Sequence, residues 1–121
     1  MKKKKVIIID DDVSVLEVMQ LVINDLDCET FGFTTWKTDT IQDIITIAPD
    51  VIILDEWLIG VKGSELCVIL KSINQLRKTP VILISGVEDL AEIAKRSFAD
   101  GYIQKPFALT DLENMVMSYI N

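Results

Sequence analysis

The sequence predicts an α/β domain, a parallel sheet with helices on both faces. Three observations lead there. Short apolar runs dense in β-branched residues recur along the chain, and they are continuous rather than alternating, as expected of strands covered on both sides. Segments with apolar residues at helical spacing separate these runs. The chain has 121 residues, which suits one domain over 1–121 and leaves no room for a second.

Taken in order, the first strand is Val6–Ile9. A helix follows in which Leu16, Met19, Ile23 and Leu26 keep helical spacing, and Ser14 with Glu17 three residues on offers a capping box. Asp12, just upstream, is expected to cap or solvate that helix start. Glu29–Phe33 reads as a weaker strand. Trp36 is expected to close the turn before a second helix carrying Ile41, Ile44, Ile45 and Ala48, which stops before Pro49. Val51–Leu54 is the third strand, and Leu66, Ile69, Leu70 and Ile73 mark the third helix. Val81–Ile84 is the fourth strand. Leu90, Ile93, Ala94 and Phe98 mark a fourth helix ending near Gly101. Gly101–Ile103 is a weak last strand, and Leu109, Leu112, Val116, Tyr119 and Ile120 mark the last helix, with Thr110 and Glu113 as a second candidate capping box. Strand and helix alternate five times, so right-handed crossovers are expected.

Half of the residues are hydrophobic and the mean hydropathy is +0.34, so a sizeable core can be buried. No apolar run approaches the length that spans a bilayer. The start "MKKKKVIII" reads briefly like a signal peptide, but its apolar stretch is too short and Asp10 ends it. A cytoplasmic protein with no membrane partner is expected. Cys28 and Cys67 lie far apart, with no CxxC and no histidine in the chain. They point to neither a zinc site nor a disulfide framework, but to small apolar residues in a reducing compartment. The net charge of −7 and pI of about 4.5 argue against nucleic acid as a direct partner. Lys2–Lys5 is the one basic block and is expected to solvate the N-terminus.

The residues just after each strand share a pattern. Asp10, Asp11 and Asp12 follow the first strand, and Asp55 follows the third. Ser85 and Gly86 follow the fourth, and Lys105-Pro106 comes just after the last. Adjacent carboxylates repel: at ~4 Å two unit charges cost about 1 kcal/mol in water and roughly 4 at an effective dielectric of ~20. Either the three aspartates splay into solvent, or something positive sits among them. Each residue alone reads as a turn or cap. Jointly they place carboxylates, a hydroxyl and an amine at one sheet edge, where open α/β sheets bind ligands.

The stretches "IIIDDD", "PDVIILD", "PVILISG" and "GYIQKPF", in this order and spacing, resemble the receiver domain of two-component response regulators. The resemblance runs from about Lys5 to Ile120. It implies a flavodoxin-like (βα)5 fold with a five-stranded parallel sheet in the order 2-1-3-4-5. Asp55 would then accept a phosphoryl group from a phosphohistidine on a sensor histidine kinase or histidine phosphotransfer protein. Asp11 would ligate Mg2+ directly, Asp10 largely through water, and the main-chain carbonyl of Trp57 would join Asp55 as a further ligand. These are the hard oxygen donors Mg2+ prefers. Without the ion, like charge should raise one or more of the carboxylate pKa values and cost stability. Lys105 would pair with a phosphoryl oxygen, Ser85 would donate its hydroxyl, and Gly86 would offer its backbone N–H. Ser85 and Tyr102 would form the switch, altering the surface made by the fourth helix, last strand and fifth helix for a downstream protein. The implied function is a phosphoryl-accepting signalling switch, not an enzyme with turnover on an outside substrate.

The chain departs from the family pattern in places. Leu58-Ile59 stands where Met-Pro is common, while Gly63 is retained. Losing the proline removes a φ constraint, so a looser loop around the Trp57 carbonyl and weaker Mg2+ binding are expected. Ser85 replaces the commoner Thr, and Gly86 the usual Ala. Trp57 could shield an acyl phosphate from water, slow its formation, or lie on its own loop. A phosphorylation-silent receiver acting as an interaction module is the alternative function, although such a module need not keep Asp10, Asp11, Asp55, Ser85 and Lys105 together. A flavin or nucleotide module of the same topology needs an anion-friendly loop after the first strand, where three aspartates would repel phosphate.

Overall fold

Val6, Ile7, Ile8 and Ile9 have no exposed surface, and they alternate between two separate cores. Val6 and Ile8 pack on one side of a sheet, Ile7 and Ile9 on the other. The same division holds for Val51 and Ile53 against Ile52 and Leu54, and for Ile82 and Ile84 against Val81 and Leu83. A strand buried on both faces must be apolar at every position, which is why these runs show no alternation. Burying each such side chain stabilises the fold by roughly 1.5–3 kcal/mol before the entropy of ordering it is counted.

The computed structural model describes residues 2–121. Its elements are β1 (Lys4–Ile9), α1 (Val13–Asn24), β2 (Cys28–Phe33), α2 (Thr40–Ile47), β3 (Val51–Asp55), α3 (Gly63–Ser72), β4 (Val81–Ser85), α4 (Leu90–Arg96), β5 (Gly101–Gln104) and α5 (Leu109–Ile120). The five strands form one parallel sheet in the order β2-β1-β3-β4-β5, as expected. α1 and α5 cover one face through Leu16, Met19, Ile23, Leu112 and Val116. α2, α3 and α4 cover the other through Ile44, Leu66, Leu70, Leu90 and Ala94. Cys28 and Cys67 are free buried thiols in these cores, and burial pushes the Cys67 pKa up to about 11. Among the described residues no helix is long and apolar enough to cross a membrane.

Several local expectations are corrected. Asp12, not Ser14, caps α1: its Oδ1 accepts the N–H of Ser14 at 3.0 Å and of Val15 at 3.2 Å. At α5 the Thr110–Glu113 box does not form, because Thr110 already lies inside the helix; the Ala108 N–H donates to Asp111 at 3.1 Å instead. Phe98 is not on α4. It follows the helix with a φ of 66° and is 68% exposed, because the chain turns left-handed where the periodicity would have continued. Ile69 and Leu109 are exposed. Ile69 is rotated about 100° from Leu70, which takes it off the buried stripe.

The segment after β3, which lacks the proline, is paired. Trp57–Leu58 and Val61–Lys62 pair as an antiparallel two-residue hairpin, and Gly60 takes the turn position with a φ of 84°. That left-handed conformation favours glycine.

Candidate functional site

Four of the five strands deliver a polar group to the carboxyl edge of the sheet. Asp10 follows β1 directly and its N–H donates to Phe33 O at 3.1 Å. Asp55 is the last residue of β3, Ser85 the last of β4, and Lys105 the first after β5. Ser85 pairs with Gln104 across the sheet, and the Lys105 N–H donates to Ser85 O at 2.8 Å, so the lysine starts from beside the serine.

Asp10, Asp11 and Asp55 converge: one carboxylate oxygen from each lies within 4.8 Å of the others. Lys105 Nζ stands 3.6 Å from Asp55 Oδ1 and 3.8 Å from Asp10 Oδ2. Asp10 is 1% exposed and Asp55 8%. The Asp12 N–H donates to Asp10 Oδ1 at 2.9 Å, but Asp10 Oδ2 is sealed from solvent and has no hydrogen-bond partner. Burial pushes the Asp10 pKa up and outweighs the Asp12 amide and the Lys105 ammonium, which pull it down. The Asp55 pKa is raised as well, first by burial and then by the charge of Asp10, against Lys105 and the backbone N–H of Trp57. The rise expected from like charge is therefore present, with desolvation as its larger cause.

An orphaned buried carboxylate oxygen calls for a positive partner, and a single lysine at 3.6–3.8 Å is too distant to satisfy three carboxylates. The residues fit a divalent cation. The donors are all hard oxygens, with no imidazole or thiolate among them, which suits Mg2+ rather than a softer metal.

The remaining expected residues fall around this cluster. Ser85 is 1% exposed, and its Oγ accepts the Val87 N–H at 3.2 Å. Gly86 is exposed; a Cβ there would meet nothing nearer than Lys105 at 3.9 Å, so no crowding requires glycine. Tyr102 stands opposite Leu83 in the sheet, 43% exposed. It is not part of the acidic group, and among the described residues no hydrogen bond links it to Ser85. The Trp57 indole is 57% exposed and lies along its own hairpin, with Lys62 Nζ 5.7 Å from the ring centroid.

Two residues escape sequence reasoning. Glu56, next to Asp55, is 2% exposed, and both its oxygens accept from Ser64: Oε1 from the N–H at 2.6 Å and Oε2 from Oγ at 2.9 Å. In the sequence it is one more acid after a strand, which reads as solvated. Gly63 comes closest of all to the site backbone, since a Cβ on it would stand 2.2 Å from the Asp55 carbonyl oxygen. Its presence was visible in the sequence, but not the approach that demands it.

Residues 6–117 match the family described as response regulator receiver domain. The chain is 25% identical to the DNA-binding response regulator MtrA of Mycolicibacterium paratuberculosis, over 91% of its own length and 48% of that protein. It is 25% identical to Protein PilG of Pseudomonas aeruginosa, over 96% of its own length and 87% of that protein. It thus spans about half the length of MtrA and most of PilG. Its fold is similar to that of the chemotaxis protein CheY4 of Vibrio cholerae, with a TM-score of 0.87, 20% identity, and coverage of 98% of this chain and 100% of that one.

Proposed function

The chain belongs to the response regulator receiver domain family, and from that premise we propose that it is a phosphoryl-accepting switch with Asp55 as the acceptor. The observation that carries the reading is the placement of Lys105 Nζ, 3.6 Å from Asp55 Oδ1, beside two further aspartates. Asp10, Asp11, Asp55 and the Trp57 carbonyl would hold Mg2+, which when bound neutralises charge on the transferring group. The donor is the phosphohistidine of a histidine kinase or phosphotransfer protein. An Asp55 carboxylate oxygen forms the new O–P bond as the N–P bond breaks, and the imidazole leaves with the electron pair. Such transfer depends on positioning and charge neutralisation rather than on covalent chemistry by the protein. Lys105 pairs with a phosphoryl oxygen, while the Ser85 hydroxyl and the Gly86 N–H donate hydrogen bonds to others.

The read-out runs through Ser85 and Tyr102 to the face made by α4, β5 and α5. Ser85 turns its hydroxyl from the Val87 amide toward the phosphoryl group, and the exposed Tyr102 ring moves into the space it vacates. Carrying such an equilibrium from 1:99 to 99:1 takes about 5.5 kcal/mol of differential stabilisation. The listener is a protein surface; an acidic chain of net charge −7 is not suited to bind nucleic acid itself. Incubation with Mg2+ and acetyl phosphate, followed by intact mass, tests the reading. A gain of one phosphoryl group that disappears in Asp55→Asn is expected. No gain, or a gain that survives the substitution, defeats it.

A further inference from the structure

We propose that Glu56 is a positioning residue: clamped by Ser64, it aims the Trp57 main chain at Asp55 and at the cation, acting by geometry rather than by charge. The inference rests on the switch reading above. A carboxylate only 2% exposed, next in sequence to Asp55, is costly to bury unless it is hydrogen-bonded. Its side chain is fully satisfied without any cation, because Ser64 supplies both donors. Glu56 therefore does not belong to the acidic cluster. It faces the start of α3.

Its backbone is held as firmly. The Glu56 N–H donates to Ile84 O at 3.0 Å, and the Gly63 N–H donates to Glu56 O at 2.9 Å. The carbonyl of Glu56 and the N–H of Trp57 belong to one planar trans peptide, so fixing one directs the other the opposite way. That N–H, after the Lys105 ammonium, draws the Asp55 pKa down. With the side chain anchored to Ser64 and the carbonyl to Gly63, turning the peptide that carries the Trp57 N–H would break the Gly63 bond, which opposes its swinging from Asp55. The Trp57 carbonyl, the expected ligand, is one peptide further along the same constrained hairpin.

A positional role and a charge role predict different variants. Glu56→Ala removes both side-chain bonds, and Ser64→Ala removes the hydroxyl bond alone while keeping the amide. Glu56→Gln keeps both contacts, because the Ser64 hydroxyl can turn to accept from the new amide. Calorimetric titration with Mg2+ gives the dissociation constant of each, and a thermal melt without Mg2+ checks that each is folded. Outer-shell partners of a metal site are typically worth about 10- to 100-fold in affinity, so Glu56→Ala and Ser64→Ala are expected to weaken Mg2+ by about tenfold and Glu56→Gln by less than about twofold. Glu56→Gln as weak as Glu56→Ala would show action by charge and overturn the inference, as would folded Ala variants that bind like wild type. A wild type that binds Mg2+ and gains a phosphoryl group while both Ala variants match it sinks this inference alone. A wild type that does neither sinks the switch reading, and this with it.

Discussion

Gly63 lies so close to Asp55 that a Cβ on it would meet the Asp55 carbonyl oxygen at 2.2 Å. The contact is with backbone, which cannot step aside as a flexible side chain can. α3 begins at Gly63, so the helix start and the end of β3 are pressed together at the residue proposed to accept phosphate.

Gly63→Ala is therefore expected to cost about 3 kcal/mol or more, the upper end of overpacking penalties, and to displace Asp55. Gly86→Ala is the contrasting case. Its new Cβ has 3.9 Å of clearance, and Gly60 is the glycine with positive φ, not Gly86. Removing unfolded-state entropy should then stabilise the protein by about 0.4–1 kcal/mol. Denaturant titration of the two variants measures both effects. A Gly63→Ala as stable as wild type would mean that helix and strand can part at no cost.

The start of α1 yields a second pair. Asp12 accepts from two backbone amides, while the Ser14 side chain makes no cap. Asp12→Ala is expected to lose about 1 kcal/mol and Asp12→Asn much less. Ser14→Ala should change stability by under about 0.5 kcal/mol. Thermal melts decide, and the opposite ranking would return the cap to Ser14.

These cases mark what was legible in the chain. The three central strands could be read because burial on both faces leaves no place for a polar residue until the strand ends. The site could be read because the strand ends deliver Asp10, Asp55, Ser85 and Lys105 to one edge. Asp12 was seen as a candidate cap, but Ser14 and Glu17 offered the same chemistry two residues later, and geometry chose between them. Phe98 keeps the spacing of α4, yet spacing carries no record of a backbone that turns to a φ of 66°. Glu56 was illegible because its partner, Ser64, lies eight residues on across a hairpin. Only the folded turn joins them.

Asp10 Oδ2, buried without a hydrogen bond, should be a source of strain in the metal-free protein. Asp10→Asn keeps the acceptor for the Asp12 N–H and turns the orphaned oxygen into a donor that can face Asp55. The loss of attraction to Lys105 is minor, since that ammonium is 3.8 Å away and 30% exposed. Leaving a buried acceptor unsatisfied costs about 1–3 kcal/mol, so the variant should gain about 1 kcal/mol without Mg2+ and bind Mg2+ less well. Melts with and without Mg2+ read both. A metal-free Asp10→Asn less stable than wild type would place the balance with Lys105 instead.

The raised pKa values of Asp10 and Asp55 fix the direction of the pH dependence. Both groups lie above the ordinary value of 3.8 in the folded chain, chiefly through burial. The folded protein therefore holds protons that the unfolded chain has released. Their contribution to stability is fully present below 3.8 and is lost as pH rises through the folded values. Mg2+ requires the ionised forms, so its stabilising effect grows over the same range. At a hundredfold excess over the dissociation constant it reaches about 2.7 kcal/mol. The expected result is an Mg2+-induced rise in Tm that is larger at about pH 7.5 than at about pH 5, because protons and metal compete for the same oxygens. Taking the difference between melts with and without Mg2+ cancels every carboxylate outside the cluster. The rise should shrink at both pH values in Asp10→Asn. An Mg2+ effect of equal size at both pH values would mean that these carboxylates are already ionised at the lower one.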